Sequence, residues 1–553
     1  MCDASPDKGV TMHTHDVVNQ SQALEGHNVA DDQTLMDGLV REGAAWAVDE
    51  VSNLGQFAGT AEVQDWGRQA NENPPSLRPY DRFGHRIDDI EFHPAWHKLM
   101  GKAVSEGMHG TPWSDPREGS HLARTAKFYV WSNVDAGHTC PISATYASIP
   151  ALRDSPELAG IYEPLLSTTI YEPGLTPPLG KAGLLATMSM TEKQGGSDLR
   201  ANTTRATLQS DGSYRILGHK WFTSATMCDL YLVLAQTNAG ITCFLVPRVL
   251  PDGTHNNVKL MRLKDKLGNR SNPSAEVEYE NAIAWRIGEE GRGVGTIIKM
   301  VNQTRLDCLS GAASGMRRGV TQAANHATHR KAFGNYLIDQ PLMQNVLADL
   351  AIESEAATLL MTRLAGANDR AIRGDDAESN FLRLALAIGK YWICKRWPAH
   401  AAESLECFGG NGFIEESQMP RLFRESPLNG IWEGSGNVAA LDVLRAMAKS
   451  PQSVEVFFDE VLLAGENPGI ARAVAGLRAQ LSDLAHAEII ARRVIEQMAL
   501  VLQASLLVRF GHPAVADAFV TSRLDGDRGS VYGTLPTGVD FSSILSRVTP
   551  TLA

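Results

Sequence analysis

Gly409-Gly410-Asn411-Gly412-Phe413, followed by Ile431-Trp432-Glu433-Gly434-Ser435-Gly436-Asn437, is the stretch on which the reading of this chain turns. It sets one carboxylate, Glu433, among apolar residues and glycines. Glycines at 409, 410, 412, 434 and 436 let backbone come close to a flat or phosphorylated ligand, because no side chain stands in the way. Burial against apolar surface disfavours an ionised carboxylate and raises its pKa toward neutrality, which suits a general base. A capping acid in front of Gly434 is the other role this residue can fill.

Working outward, Met188-Ser189-Met190-Thr191-Glu192-Lys193-Gln194-Gly195-Gly196-Ser197-Asp198 leads through strand-like sequence to Gly218-His219-Lys220-Trp221-Phe222-Thr223-Ser224. Hydroxyls and free amides in such loops suit a heteroaromatic edge and a pyrophosphate, and Trp221 offers a stacking face. Arg330-Lys331-Ala332-Phe333-Gly334 adds a guanidinium able to grip phosphate with two N–H groups. No Gly-x-Gly-x-x-Gly after a strand and no Walker loop occurs; Gly288 to Gly295 reads as a domain junction.

Taken in order, Thr-Glu-x-x-x-Gly-Ser-Asp, Lys-Trp-x-Thr, Arg-x-x-Phe-Gly and Gly-Gly-x-Gly followed by an aromatic-Glu-Gly resemble the FAD-dependent acyl-CoA dehydrogenases. Leu263 to Ser271, Phe92 to His97 and Ile431 to Asn437 resemble the AidB branch of that family, linked to the adaptive response to DNA alkylation. The resemblance spans roughly residues 35 to 530. It implies FAD held without a Rossmann domain, with Met190, Thr191 and Ser197 at the flavin ring and pyrophosphate. Trp221, Phe222, Thr223 and Ser224 would lie on the isoalloxazine side. Arg330, Phe333, Gly409 and Gly410 would reach the adenosine half bound in a neighbouring subunit of a homotetramer, and Ser435 and Asn437 would close over the cofactor.

Glu433 matches the family's catalytic base, which takes the α proton of an acyl-CoA thioester while the β hydrogen leaves as hydride. A sub-branch carries its base just before an arginine on an earlier helix; here Thr304 precedes Arg305, so that base is missing. Lys193 for the usual proline, Gln340-Pro341 for a glutamine eight residues after Phe333, and Glu406 for another glutamine mark a divergent member, for which a short or branched acyl chain is the first expectation.

Periodicity implies a mostly helical, multidomain chain around a central β domain: a polar, flexible arm to residue 34, a helical domain over 35–183, a β domain over 184–290, a four-helix bundle over 291–450, and further helices with a tail over 451–553. Strands are expected at Tyr231–Ala235, Thr242–Val246 and Glu276–Tyr279, and bundle helices at 294–328, 342–373, 378–408 and 438–448. His93 and His97 read as a packed helix start rather than a metal pair, and no metal site is expected.

Seven scattered cysteines without a Cys-x-x-Cys pair read as reduced thiols. With neither a signal-like start nor a membrane-length apolar run, a cytoplasmic protein is expected. A formal charge of −12 opposes general polyanion binding, so any contact with duplex DNA must rest on a local patch. Arg445, Arg472, Arg478, Arg492, Arg493 and Arg509 are the candidates; solvated helix faces with ordinary ion pairs are the alternative reading of the same residues.

Overall fold

The computed structural model describes residues 14–482 and 486–550. Its first third is helical: α1 (Gln33–Arg41), α2 (Val48–Ala58), α3 (Ala61–Glu72), α4 (Pro94–Ser105), α5 (Thr111–Ser114), α6 (Ser120–Ser132), α7 (Thr139–Leu152) and α8 (Pro156–Leu166). One antiparallel hairpin, β1 (Ser76–Tyr80) with β2 (Arg86–Glu91), interrupts it. α4 starts where Pro94 fixes the first helical φ and the His93 ring accepts from the Ala95 amide, while His97 bonds to the Tyr171 hydroxyl at 2.8 Å. These histidines are therefore structural, and among the described residues no metal-binding cluster occurs.

The strands that follow are β3 (Ala186–Ser189), β4 (Arg205–Leu208), β5 (Tyr214–Thr223), β6 (Leu230–Thr237), β7 (Gly240–Pro247), β8 (Val258–Leu263) and β9 (Ala275–Ile287). Their order is β3-β6-β4-β5-β9-β7, and β7 also pairs with β6, so the sheet closes on itself, with β3 and β8 attached outside the ring. Tyr231, Val233, Val246, Val277 and Tyr279 fill its interior as fully buried side chains. Closure removes the open edges that an isolated sheet would expose.

The bundle consists of α9 (Gly293–His329), α10 (Pro341–Ile372), α11 (Asp376–Glu406) and α13 (Gly436–Lys449). Between α9 and α10 a small hairpin, β10 (Lys331–Ala332) with β11 (Asn335–Tyr336), turns at Phe333 and Gly334, both left-handed at φ +52° and +85°. The sequence suggests short joins throughout the bundle. The last one departs from this: residues 407–435 hold single helical turns and the short α12 (Met419–Glu425), and they carry the candidate base. α14 (Gln452–Leu462), α15 (Pro468–Ser482), α16 (Ala487–Phe510), α17 (Pro513–Phe519) and α18 (Phe541–Ser546) complete the chain.

Both terminal segments are tied down where described. The reading of residues 1–34 as a flexible arm falls outside the described residues up to position 13. Beyond that, the arm lies against the end of α9: the Asn19 carbonyl accepts from Arg330, Ser21 meets His326, and the Gln22 carbonyl accepts from Asn325. The C-terminal tail is held by a buried ionic knot in which Arg523 bridges Asp349 and Glu353, and Glu353 also takes two N–H groups of Arg396. The amides of Gly533 and Leu535 then bond to side chains of α10. Six described cysteines are free thiols, and no described helix is long and apolar enough to cross a membrane.

Candidate active site

Glu433 sits in the long connection ahead of α13 with φ +57°, a left-handed conformation that costs a non-glycine residue roughly 1–2 kcal/mol. Such strain persists only where surroundings enforce it. Here three successive carbonyls are each taken by a cation: Lys390 Nζ donates to Trp432 O at 2.6 Å and Gly434 O at 2.7 Å, and Arg305 Nε donates to Glu433 O at 3.0 Å. Arg305 is itself paired with Asp442 of α13 at 2.6 Å. Trp432 is fixed from its other side, its indole N–H meeting Asn429 Oδ1, whose amide bonds to Cys308 O.

The residue as a whole is half-buried, but Oε2 of its carboxylate is sealed from solvent and has no hydrogen-bond partner. Burial pushes the Glu433 carboxyl above its ordinary range; the Thr304 hydroxyl, Lys390 and Arg305 temper the rise, and Asp307 adds to it. Cys140 of α7 connects this group to the β domain. Its thiol is pushed up to about 12 by burial and by Glu433, with Asn272 and Ser224 of the β domain tempering the rise. Cys140 thus lies between Glu433 of the bundle region and Asn272 and Ser224 of the β domain.

The loop after β3 is lashed to that same strand. Trp221 N–H bonds to Thr191 O at 2.8 Å, and beneath them Lys220 donates to Met190 O, Leu234 O and Glu192. Burial would raise the Glu192 carboxyl, but the Thr203 amide, Lys220 and Thr204 bring it down to about 2. Burial lowers Lys220 to about 8 against the pull of Glu192. The pair is an internal strut, and it leaves Met190, Thr191 and Ser197 on the accessible side of the loop.

Two expected ligand contacts change character. Thr223 is fully buried, its hydroxyl bonded to Ser189 Oγ, which Tyr279 also reaches at 3.0 Å, so its side chain is taken up by the sheet's own packing. Three cations lie over the Trp221 ring, Lys264 at 3.5 Å from its centre, Lys193 at 5.3 Å and Arg262 at 6.0 Å; Phe222 beside it is exposed. Ser435 caps α13 without a side-chain bond and is exposed, as is Asn437.

Arg330, Phe333, Gly409 and Gly410 form a separate group. From Thr304 to Arg330 the chain climbs α9, a rise of about 39 Å at 1.5 Å per residue. Stacking of His326 on Phe408, with ring centres 4.4 Å apart, brings the two glycines to the Arg330 end. Phe333 projects from its hairpin 97% exposed. A Cβ built on Gly409 or Gly410 would meet nothing within 4 Å, so those backbones lie open, whereas one on Gly412 would come 2.1 Å from Leu405 O. Gly412 serves its own chain's packing, as does Gly436, where a Cβ would lie 2.8 Å from Lys395 Cε.

Of the arginines considered for DNA, Arg472 pairs with Asp525, Arg478 with Glu455 and Arg509 with Glu460. Arg492 donates to the Tyr391 hydroxyl, and Arg445, Arg492 and Arg493 are exposed.

The sequence reading did not single out the supports of the base, Lys390 and Arg305, or the Lys220–Glu192 strut. Lys390 had a visible signal: it is a lone cation within the apolar run Leu384–Cys394, a place lysine occupies only when its charge has work there.

A closed β domain between a helical domain and a four-helix bundle, with an acidic residue presented ahead of the last bundle helix, defines a class. The chain belongs to the acyl-CoA dehydrogenase family. Residues 187–282 match the acyl-CoA dehydrogenase middle domain and 291–448 its C-terminal domain. Residues 19–173 match the N-terminal domain of the adaptive response protein AidB. The AidB protein of Escherichia coli strain K12 is 45% identical over 94% of this chain and 96% of its own length, which puts the chain in the AidB branch. Among solved structures, Caenorhabditis elegans ACDH-11 in complex with C11-CoA superposes with a TM-score of 0.82 at 26% identity, covering 97% of this chain and 93% of that one. A Bacillus anthracis acyl-CoA dehydrogenase complexed with FAD shares the fold, with a TM-score of 0.68 at 18% identity over 95% of this chain and 89% of that one.

Proposed function

We propose that this protein is an FAD-dependent acyl-CoA dehydrogenase in which Glu433 is the base. The observation that carries the reading is the sealed, unpartnered Oε2 of Glu433 on a strained turn gripped by two cations. The residues present fit the cofactor: the Thr191–Trp221 tie presents a loop edge with Met190, Thr191 and Ser197 accessible, and Gly409–Gly410 leave bare backbone at the far end of the bundle. FAD, when bound, would supply the acceptor for the β hydride.

The chain's own part is positional and electrostatic. Glu433 takes the α proton and becomes neutral, and the C–H electron pair stays on the α carbon. Burial, which makes ionised Glu433 costly, is the driving force for that transfer. Open Gly409–Gly410 and fully exposed Phe333, about 39 Å from the level of Thr304, support cofactor sites completed by neighbouring subunits of a homotetramer. A relative holding C11-CoA widens the substrate expectation beyond short and branched chains.

Three of the six arginines considered for duplex DNA are already neutralised, which leaves Arg445, Arg492 and Arg493 for that role and favours the dehydrogenase reading. The test is anaerobic titration of the flavin-loaded protein with thioesters from isobutyryl-CoA to undecanoyl-CoA. Bleaching of the flavin by at least one is expected; a flavin that none of them reduces would overturn the proposal.

A further inference from the structure

The two cations that hold the Glu433 turn are not equivalent. Arg305 is in contact with Asp442, so its charge is largely cancelled. Lys390 is 2% exposed in the middle of α11 and bonds to two carbonyls rather than to a carboxylate. Its charge therefore reaches past its hydrogen bonds to the Glu433 carboxylate and to the thiols of Cys308 and Cys394. Facing Glu433 are Thr304, Arg305, Asp307 and Cys308 from α9, Lys390 from α11 and Cys140 from α7, with Asp442 of α13 acting through Arg305. Asp307 works against the ionised base but is itself paired with the buried Arg124.

We propose that Lys390 is the positioning residue of the base: it pins the carbonyls on either side of Glu433, which fixes the turn that presents the carboxylate, and it holds an uncancelled positive charge within its electrostatic reach. This deepens the dehydrogenase reading and rests on Glu433 as base. A clamp alone and a clamp with a charge make different predictions. Replacing Lys390 by an uncharged residue removes the group that favours ionised Glu433, so the carboxyl titrates at higher pH. Loss of rate is then largest near neutrality and shrinks in alkali, by about tenfold for each pH unit that the titration moves. A purely mechanical clamp would lower the rate by one factor at every pH.

The experiment compares the parent with Lys390→Met, Lys390→Gln, Lys390→Arg and Glu433→Gln as flavin-loaded proteins. The rate of flavin reduction by isobutyryl-CoA is followed from pH 6 to 9.5. Lys390→Met and Lys390→Gln should move the rising limb alkaline by a pH unit or more, the Gln variant keeping N–H donors without the charge. Lys390→Arg should keep the parent limb. Unmoved limbs, or uniform loss, would overturn the proposal.

A substrate-free arm adds the double variant Lys390→Met/Glu433→Gln and measures thermal midpoints at pH 5.5 and 8.5. The Met change should cost more in the parent than in the Glu433→Gln background at pH 8.5, and the difference should be smaller at pH 5.5, because the charge pair exists only when Glu433 is ionised. Equal costs at both pH values overturn the proposal. Flavin reduction surviving in Glu433→Gln would instead remove the base reading while leaving this charge coupling intact.

Discussion

Replacing Glu425 by glutamine should stabilise the protein in alkali and leave it unchanged in acid. Glu425 of α12 is 8% exposed; it accepts from the Asn269 amide at 2.7 Å and so joins the loop between β8 and β9 to the connection that carries the base. Burial, reinforced by nearby Asp135, pushes its carboxyl from 4.5 to about 7, against the pull of the Asn269 amide, Arg421 and Lys266. The folded state therefore holds a proton that the unfolded chain releases above pH 4.5, so unfolding releases a proton and rising pH favours it. The penalty is absent below pH 4.5, grows through the interval to pH 7 and is complete above it. A rise of this size corresponds to about 3 kcal/mol at 1.36 kcal/mol per unit. Glutamine keeps the acceptor for Asn269 and cannot ionise. In urea titrations at pH 4 and pH 8.5, the variant should match the parent at the lower pH and exceed it by about 3 kcal/mol at the higher. Equal stability at pH 8.5, or a variant weaker at both, would refute the reasoning.

Other consequences concern assembly and surface. Arg523→Ala strands Asp349 and leaves Glu353 with one cation; loss of a buried partner costs about 3–5 kcal/mol, so the tail beyond Asp525 should be clipped by protease well before the bundle, and parent-like resistance would contradict the ionic knot. Phe333→Ser alters no contact within the chain that holds its fold, yet if sites are shared between subunits it should lower both oligomer mass in light scattering and retained FAD; unchanged mass and flavin content would remove the shared-site reading. Arg492→Glu with Arg493→Glu should abolish any low-salt anisotropy response to a labelled duplex, whereas binding that survives the change would move the cationic face elsewhere.

What could be read in advance follows physical scale. Helical periodicity over several turns is hard to mistake, and α9, α10, α11 and α13 lie within two residues of the expected spans at every end. Strands β6, β7 and β9 extend the short apolar runs read for them, because pairing recruits flanking residues that periodicity alone ignores. Partnership was illegible. Nothing in the local sequence says that Thr223 spends its hydroxyl on Ser189 or that Lys264 lies over Trp221, since each depends on a residue distant in the chain. The same holds for the candidate arginines: Glu455, Glu460 and Asp525, which pair with Arg478, Arg509 and Arg472, are brought alongside only by the fold. Docking of residues 19–22 on α9 was missed because those contacts go largely through backbone carbonyls, which carry no sequence signature.

The central claim is that Glu433 removes the α proton, and α-hydrogen exchange tests it without depending on the electron acceptor. Flavin-loaded parent and Glu433→Gln proteins, held anaerobically in D2O with isobutyryl-CoA, are followed by proton NMR of the α position. The account predicts exchange by the parent and a loss of about 10²- to 10⁴-fold in the variant at equal FAD content. Undiminished exchange by Glu433→Gln would contradict it.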